Sequence, residues 1–216
     1  MVKIKVCGMK YQENIEALSR LLPDYMGFIF YPKSKRYFEG NMPKLPQTIK
    51  KTGVFVDEEI DQLVNLTLKY NLQAIQLHGD ESVEYINVLK QKIVDSGMKK
   101  LEIIKAFAVI EGFNFQQLTT YKETVDYFLF DTKGKEKGGN GISFDWDILN
   151  SYNLDKPYFL SGGIGIESLD KINKFLNQPS ARKCKVLDVN SKFEVAPGEK
   201  DIKLIDAFTK ELNSLN

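Results

Sequence analysis

The chain is poor in the residues that most often announce chemistry: two cysteines, Cys7 and Cys184, and one histidine, His78, in 216 residues. Two cysteines in a chain of this size make no disulfide framework, and a reduced, cytoplasmic setting is the expectation. No run of about 18 apolar residues exists, so no membrane span is expected. The start, Met1-Val2-Lys3-Ile4-Lys5-Val6-Cys7-Gly8, alternates like a strand and lacks the charged-then-apolar order of a secretory signal. Charge of neither sign dominates: 30 Lys and Arg stand against 29 Asp and Glu. That balance offers no global basic surface to nucleic acid. Also missing is the Gly-rich fingerprint that a doubly wound nucleotide-binding sheet places after its first strand. The first turn is Cys7-Gly8-Met9-Lys10, and the glycines cluster late.

What is present is regular alternation. A chain of 216 residues supports one well-buried core, and a single domain over 1–216 is expected. Short apolar runs at 3–7, 25–31, 51–56, 73–77, 101–107, 127–131, 158–161 and 185–190 read as strands. Several, such as Gly27-Phe28-Ile29-Phe30-Tyr31, are apolar on both parities, as strands of a two-sided, buried parallel sheet are. Helical patterns separate them at 14–21, 57–70, 83–95, 113–121, 146–150, 166–175 and 200–212, with a short Pro-flanked one at 43–50. Eight β/α units in this length predict an α/β fold of the (β/α)8 TIM-barrel type near its minimum size.

In such a barrel chemistry gathers at the C-terminal ends of the strands. Cys7 stands there after the first strand; it reads as a small buried hydrophobe or as a thiol base activated by its surroundings. Asp131 ends the run Phe128-Leu129-Phe130 and reads as a loop cap or as an acid raised by desolvation. Arg36, in Tyr31-Pro32-Lys33-Ser34-Lys35-Arg36-Tyr37, is either solvated or an anion clamp. His78 is structural or functional. Gly162-Gly163 after the seventh strand and Asn190-Ser191 after the eighth fit a phosphate site built on backbone N–H groups. The glycine- and lysine-rich segment 133–141 is a solvated loop or a closing lid. Cys184, at the far end of the eighth strand, is taken as structural.

Taken together, these residues resemble the phosphoribosylanthranilate isomerases. The resemblance is carried by Lys5-Val6-Cys7-Gly8-Met9, by the whole stretch from Gly27 to Tyr37, by Gly53-Val54-Phe55-Val56 and by Gln76-Leu77-His78-Gly79-Asp80-Glu81. It continues through Phe130-Asp131-Thr132, Gly138-Gly139-Asn140-Gly141, Leu160-Ser161-Gly162-Gly163 and Asp188-Val189-Asn190-Ser191 to Glu194 and Asp201. The resemblance implies Amadori rearrangement of N-(5-phosphoribosyl)anthranilate in tryptophan biosynthesis, without metal or cofactor. It implies that Cys7 takes the proton from ribose C2 and that Asp131 protonates the ring oxygen. Arg36 would bind the anthranilate carboxylate. Gly162, Gly163, Asn190 and Ser191 would hold the phosphate, and His78, Gly139 and Asp188 would line the substrate site. The implied partner is a small phosphorylated molecule, with no nucleic acid or membrane, and the assembly is a monomer or homodimer.

Two departures concern the phosphate site. Lys192 stands where the family commonly has Gly, and Asn140 and Ile142 stand where Ser/Thr and Lys are common. Strand alternation adds one expectation of its own: if Cys7 points into the barrel mouth, Lys5 points inward too. A buried Lys needs a partner, and Asp188 on the adjacent eighth strand is the expected one. The competing readings are another sugar-phosphate barrel enzyme, such as an indole-glycerol-phosphate synthase or a ribulose-phosphate epimerase, and a non-catalytic phosphate-binding barrel. A single histidine argues against a metal-dependent epimerase.

Overall fold

Alternation sends every second side chain of a strand to the same face, and eight parallel strands use that rule to close a barrel. The computed structural model describes residues 2–98, 100–132 and 145–215. The strands are β1 (Lys3–Val6), β2 (Tyr25–Ile29), β3 (Lys50–Phe55), β4 (Ala74–Leu77), β5 (Glu102–Val109), β6 (Tyr127–Thr132), β7 (Tyr158–Leu160) and β8 (Cys184–Val189). They pair in sequence order, and β8 closes on β1 with Lys5 opposite Asp188.

One file of side chains faces inward. Tyr25, Ala74, Ile104, Leu129, Phe159 and Val186 form their own buried cluster inside the barrel. The other file, with Val6, Phe28, Ile75, Phe130 and Leu187, belongs to the larger core under the helices. The inward file runs upward into the mouth: Lys5 leads to Cys7, Gln76 to His78, Leu129 to Asp131, and Asp188 to Asn190. The fold therefore aims those side chains before any local chemistry acts.

The covering layer is α1 (Gln12–Ser19), α2 (Ile60–Tyr70), α3 (Val83–Asp95), α4 (Leu169–Leu176) and α5 (Ile202–Ser214). Ser82 caps α3 by accepting from Tyr85 N at 3.2 Å, and Asp201 caps α5 by accepting from Leu204 N at 3.0 Å. After β5 and β6 the expected helices are single 3₁₀ segments, Phe115–Tyr121 and Trp146–Ser151. Among the described residues, no helix is long and apolar enough to cross a membrane.

Three further expected elements differ. No helix forms at 43–50. Pro43 and Pro46 lack the N–H groups a short helix needs, and the aromatic ring of Phe38 covers β2 instead. It packs 5.1 Å from Phe28 and 5.5 Å from Tyr70. The second α-helix starts at Ile60, not at Asp57, because Asp57 adopts a left-handed φ of 49°. The last helix starts at Ile202, not at Lys200, which lies in a small hairpin of β9 (Glu194–Ala196) and β10 (Glu199–Lys200). That hairpin had no counterpart in the sequence reading.

Phe130 is fully buried, with ring centroids of Phe115, Tyr152 and Tyr158 at 5.3, 5.2 and 4.9 Å. Phe130→Ala is expected to cost about 3–5 kcal/mol, read as a lowered urea midpoint at unchanged slope.

Candidate active site

The thiol side of the mouth begins with β1. Cys7 N donates to Val189 O at 2.9 Å, so the β1–β8 ladder carries the backbone just past the strand and fixes the thiol's direction. A Cβ on Gly27 of β2 would lie 2.7 Å from Cys7 Sγ, so glycine is what leaves room for the sulfur. Two residues below, Lys5 points inward as expected and is fully buried. Its Nζ donates to Asp188 Oδ2 at 2.8 Å and to Gln76 Oε1 at 2.6 Å. Burial opposes its charge, but Asp188 and Cys7 outweigh burial and hold it above an ordinary lysine. Burial pushes the Cys7 thiol up, against the pull of the Lys5 and Lys200 ammonium groups.

The carboxyl side lies on β6 and β4. Asp131 Oδ1 accepts from Thr132 N at 2.8 Å. His78 Nε2 stands 3.5 Å from Asp131 Oδ2, and His78 Nδ1 is 2.7 Å from Gln76 Nε2. The lone histidine therefore stands in the mouth, between Gln76 and Asp131. Among the described residues, no group of three His, Cys, Asp or Glu could hold a metal. Asp188 Oδ1 is buried without a hydrogen-bond partner among the described residues, and Asp188 lines the mouth.

A second polar cluster closes the rim by the β9–β10 hairpin. Arg36 Nε and Nη2 donate to the two oxygens of Glu194 at 2.8 and 2.7 Å. Lys200 donates to the same carboxylate and to Asn190 Oδ1, each at 2.7 Å. Burial, set against Glu194, leaves Lys200 pushed down to about 8. Burial works the other way on Glu194, but Arg36 and Lys200 outweigh it and hold the carboxylate low. Sequence reasoning had Gln76, Glu194 and Lys200 only as parts of motifs and named none of them as a site residue. An inward parity with Lys5 and His78 was the available signal for Gln76; for Lys200 there was none.

The expected phosphate loops meet over the same mouth. Gly162 and Gly163 have φ of 96° and 67°, and a Cβ at Gly162 would fall on Thr132 Oγ1. Only glycine suits that turn. Lys192 borders the mouth and pairs with Glu167 at 3.1 Å. The residue that departs from the family pattern thus adds a cation at the loop edge. Cys7, Arg36, His78, Asp131, Gly162, Gly163, Asp188, Asn190 and Ser191 all line one cavity of about 820 Å3, its open mouth included. That is a volume suited to a small organic ligand. Gly139 and the segment 133–141, read as a solvated loop or a closing lid, lie outside the described residues.

A closed parallel barrel whose mouth carries a thiol, a carboxyl group and two glycine- or serine-bearing loops is the arrangement expected of a sugar-phosphate barrel enzyme. The comparisons specify which. The sequence model for "N-(5'phosphoribosyl)anthranilate (PRA) isomerase" matches residues 4–211. The N-(5'-phosphoribosyl)anthranilate isomerase of Parabacteroides distasonis is 38% identical, covering 97% of this chain and 92% of that protein. Its counterpart in Clostridium acetobutylicum is also 38% identical, with 96% of each chain covered. The crystal structure of phosphoribosyl anthranilate isomerase from Thermotoga maritima superposes with TM-score 0.79 at 32% identity, covering 99% of this chain and 100% of that one. A crystal structure of the isomerase with reduced 1-(o-carboxyphenylamino)-1-deoxyribulose 5-phosphate gives 0.77 at 30%, with the same coverage. The chain belongs to the N-(5'-phosphoribosyl)anthranilate isomerase family.

Removing one partner of a buried ion pair leaves the other charge without compensation. Asp188→Leu is therefore expected to destabilise by about 3–5 kcal/mol, while Lys5→Met together with Asp188→Leu regains most of it. Denaturant unfolding of the three proteins measures both values.

Proposed function

We propose that this chain catalyses the Amadori rearrangement of N-(5-phosphoribosyl)anthranilate to the 1-deoxyribulose 5-phosphate derivative, in tryptophan biosynthesis, with Asp131 as general acid and Cys7 as general base. The observation that carries this reading is the placement of a thiol and a carboxyl group on different strands, both lining one cavity with the loops at Gly162-Gly163 and Asn190-Ser191.

Asp131 gives its proton to the furanose ring oxygen as the C1–O bond breaks, and C1 becomes a protonated Schiff base. That cation withdraws electrons from C2, so its C–H bond yields to a modest base. Cys7 takes the proton, the C–H electron pair becomes the C1=C2 bond of an enolamine, and uptake of a proton at C1 with loss of the C2 hydroxyl proton gives the ketone. Acid and base approach the sugar from different sides, which separate strands supply.

The remaining residues hold the substrate. The backbone at Gly162, Gly163 and Ser191 faces the phosphate, with Asn190 and Lys192 beside it. Arg36, oriented by Glu194, takes the anthranilate carboxylate. Asp188 Oδ1, a buried acceptor without a protein partner among the described residues, accepts from a ribose hydroxyl. His78 stands against Asp131.

The test is turnover of freshly generated phosphoribosylanthranilate, followed by loss of its fluorescence. Cys7→Ala and Asp131→Asn are each expected to lower kcat by about 10²-fold or more. A folded wild type without turnover would discard the reading in favour of a phosphate-binding barrel. The pH dependence has a definite sign. A base works deprotonated, and burial raises the Cys7 thiol, so kcat/KM should still be rising with pH above about 8.5, where an ordinary thiol is half ionised. A plateau reached near neutrality would contradict the assignment of Cys7 as base.

A further inference from the structure

A line of hydrogen-bonding groups crosses the barrel mouth from the base to the acid. Lys5 Nζ reaches Gln76 Oε1 at 2.6 Å, Gln76 Nε2 reaches His78 Nδ1 at 2.7 Å, and His78 Nε2 faces Asp131 Oδ2 at 3.5 Å. Each link has its direction fixed by the one before. An ammonium only donates, so the Gln76 atom against Lys5 is the carbonyl oxygen. The other end of the amide is then its NH2, which also only donates. Nδ1 of His78 must therefore present its lone pair, and in the neutral ring the hydrogen sits on Nε2. That hydrogen's nitrogen stands 3.5 Å from Asp131 Oδ2.

We propose that Gln76 is a positioning residue for this reaction: anchored by Lys5, it sets the Nε2–H tautomer of His78 and so keeps the proton of Asp131 for the substrate. The proposal rests on the acid role given to Asp131. In this tautomer both carboxyl oxygens of Asp131 face donors, Thr132 N and His78 Nε2. Among the described residues the acid's own proton then meets no acceptor on that side and is left for the ring oxygen. In the other tautomer Nε2 would carry a lone pair. An imidazole lone pair in that place is an acceptor for the carboxyl proton. It would draw the proton away from the group that must deliver it. The separation of 3.5 Å is of the loose kind that tightens once reactants are bound.

A change of one atom reverses the line. Gln76→Glu keeps the shape and the bond to Lys5, but its second oxygen accepts and calls the ring hydrogen to Nδ1. The chain has one histidine, so nitrogen NMR of the untagged protein reads one imidazole without assignment. The expected wild-type spectrum has the hydrogen on Nε2. In the Gln76→Glu protein it moves to Nδ1, kcat falls by about tenfold or more, and KM stays within about threefold because substrate binding is not what changed. Gln76→Met, which neither donates nor accepts strongly, should give both tautomers and an intermediate kcat; it serves also if the Glu variant does not fold. A wild-type ring with its hydrogen on Nδ1 overturns the assignment. A switched tautomer with unchanged kcat overturns the positioning role. A wild type with the Nε2–H signal but no turnover sinks the isomerase reading, and the delivery role with it. A turning-over wild type with an Nδ1–H ring sinks the tautomer assignment alone, so the two failures are told apart.

Discussion

One buried ammonium group orders the mouth of this barrel. Lys5 is fully enclosed, and a charge in that position is costly unless several groups answer it. Asp188 answers the charge, and Gln76 answers a further hydrogen. The β1–β8 register makes the first pairing compulsory, because Lys5 and Asp188 are directly opposite. Once Lys5 holds Oδ2 of Asp188, the other oxygen is left for whatever enters the cavity. Once it holds the Gln76 carbonyl, the amide can turn only one face to His78. Two positions further along the same strand its field meets Cys7. A single inward lysine thus fixes an acceptor, an amide and a thiol on three strands.

The other polar groups at the rim follow the same rule. Lys105 is buried against Glu81 at 3.2 Å and donates to Gly79 O at 2.9 Å. Glu81 in turn accepts from Asp57 N and Gly79 N, which ties the turn after β3 to the turn after His78. Arg36, Glu194, Lys200 and Asn190 do the corresponding work beside β8. Such pairs contribute little net stability, since desolvation offsets most of their attraction. The apolar layer under the helices supplies that. What the pairs supply is position: each cation has more than one acceptor, so each loop end has one arrangement that satisfies all of them. A site that must hold acid and base at fixed places benefits from such supports.

The repeating pattern made the barrel legible. Strand apolarity on both parities, the number of units and the chain length left few alternatives, and the inward direction of Lys5 followed from Cys7 by parity alone. Cys7, Asp131 and the late glycines were legible because a barrel concentrates chemistry at one end of its strands. What was not legible depends on contacts distant in sequence. Lys200 looks like the first residue of a helix, and only the hairpin formed with Glu194 turns it under Arg36. Asp57 looks like an acidic helix start, yet its left-handed backbone ends the strand instead. The segment around Pro43 has helical spacing, but Phe38 already occupies the face a helix would cover. The role of Gln76 was hidden for a different reason: its neighbours, Lys5 and His78, are 71 and 2 residues away, and only the closed sheet brings them to one line.

The state of Cys7 shows why the surrounding charges are arranged in this way. A thiol base must satisfy two opposed requirements: it must be ionised to act, and its thiolate must be basic enough to take a proton from carbon. Strong cationic pairing would ionise it and weaken it as a base. Burial alone would keep it basic but protonated. Here burial is the largest influence and raises the thiol, with Lys5 and Lys200 pulling the other way and Asp188 screening Lys5. On the proposed mechanism the missing charge comes from the substrate. Ring opening places a Schiff-base cation within the cavity, and an opposite charge nearby favours the thiolate. The thiolate is then favoured only after the acid has acted. That order requires Asp131 to release its proton to the ring oxygen first, so a device that prevents its loss to His78 would protect the step on which the rest of the sequence depends.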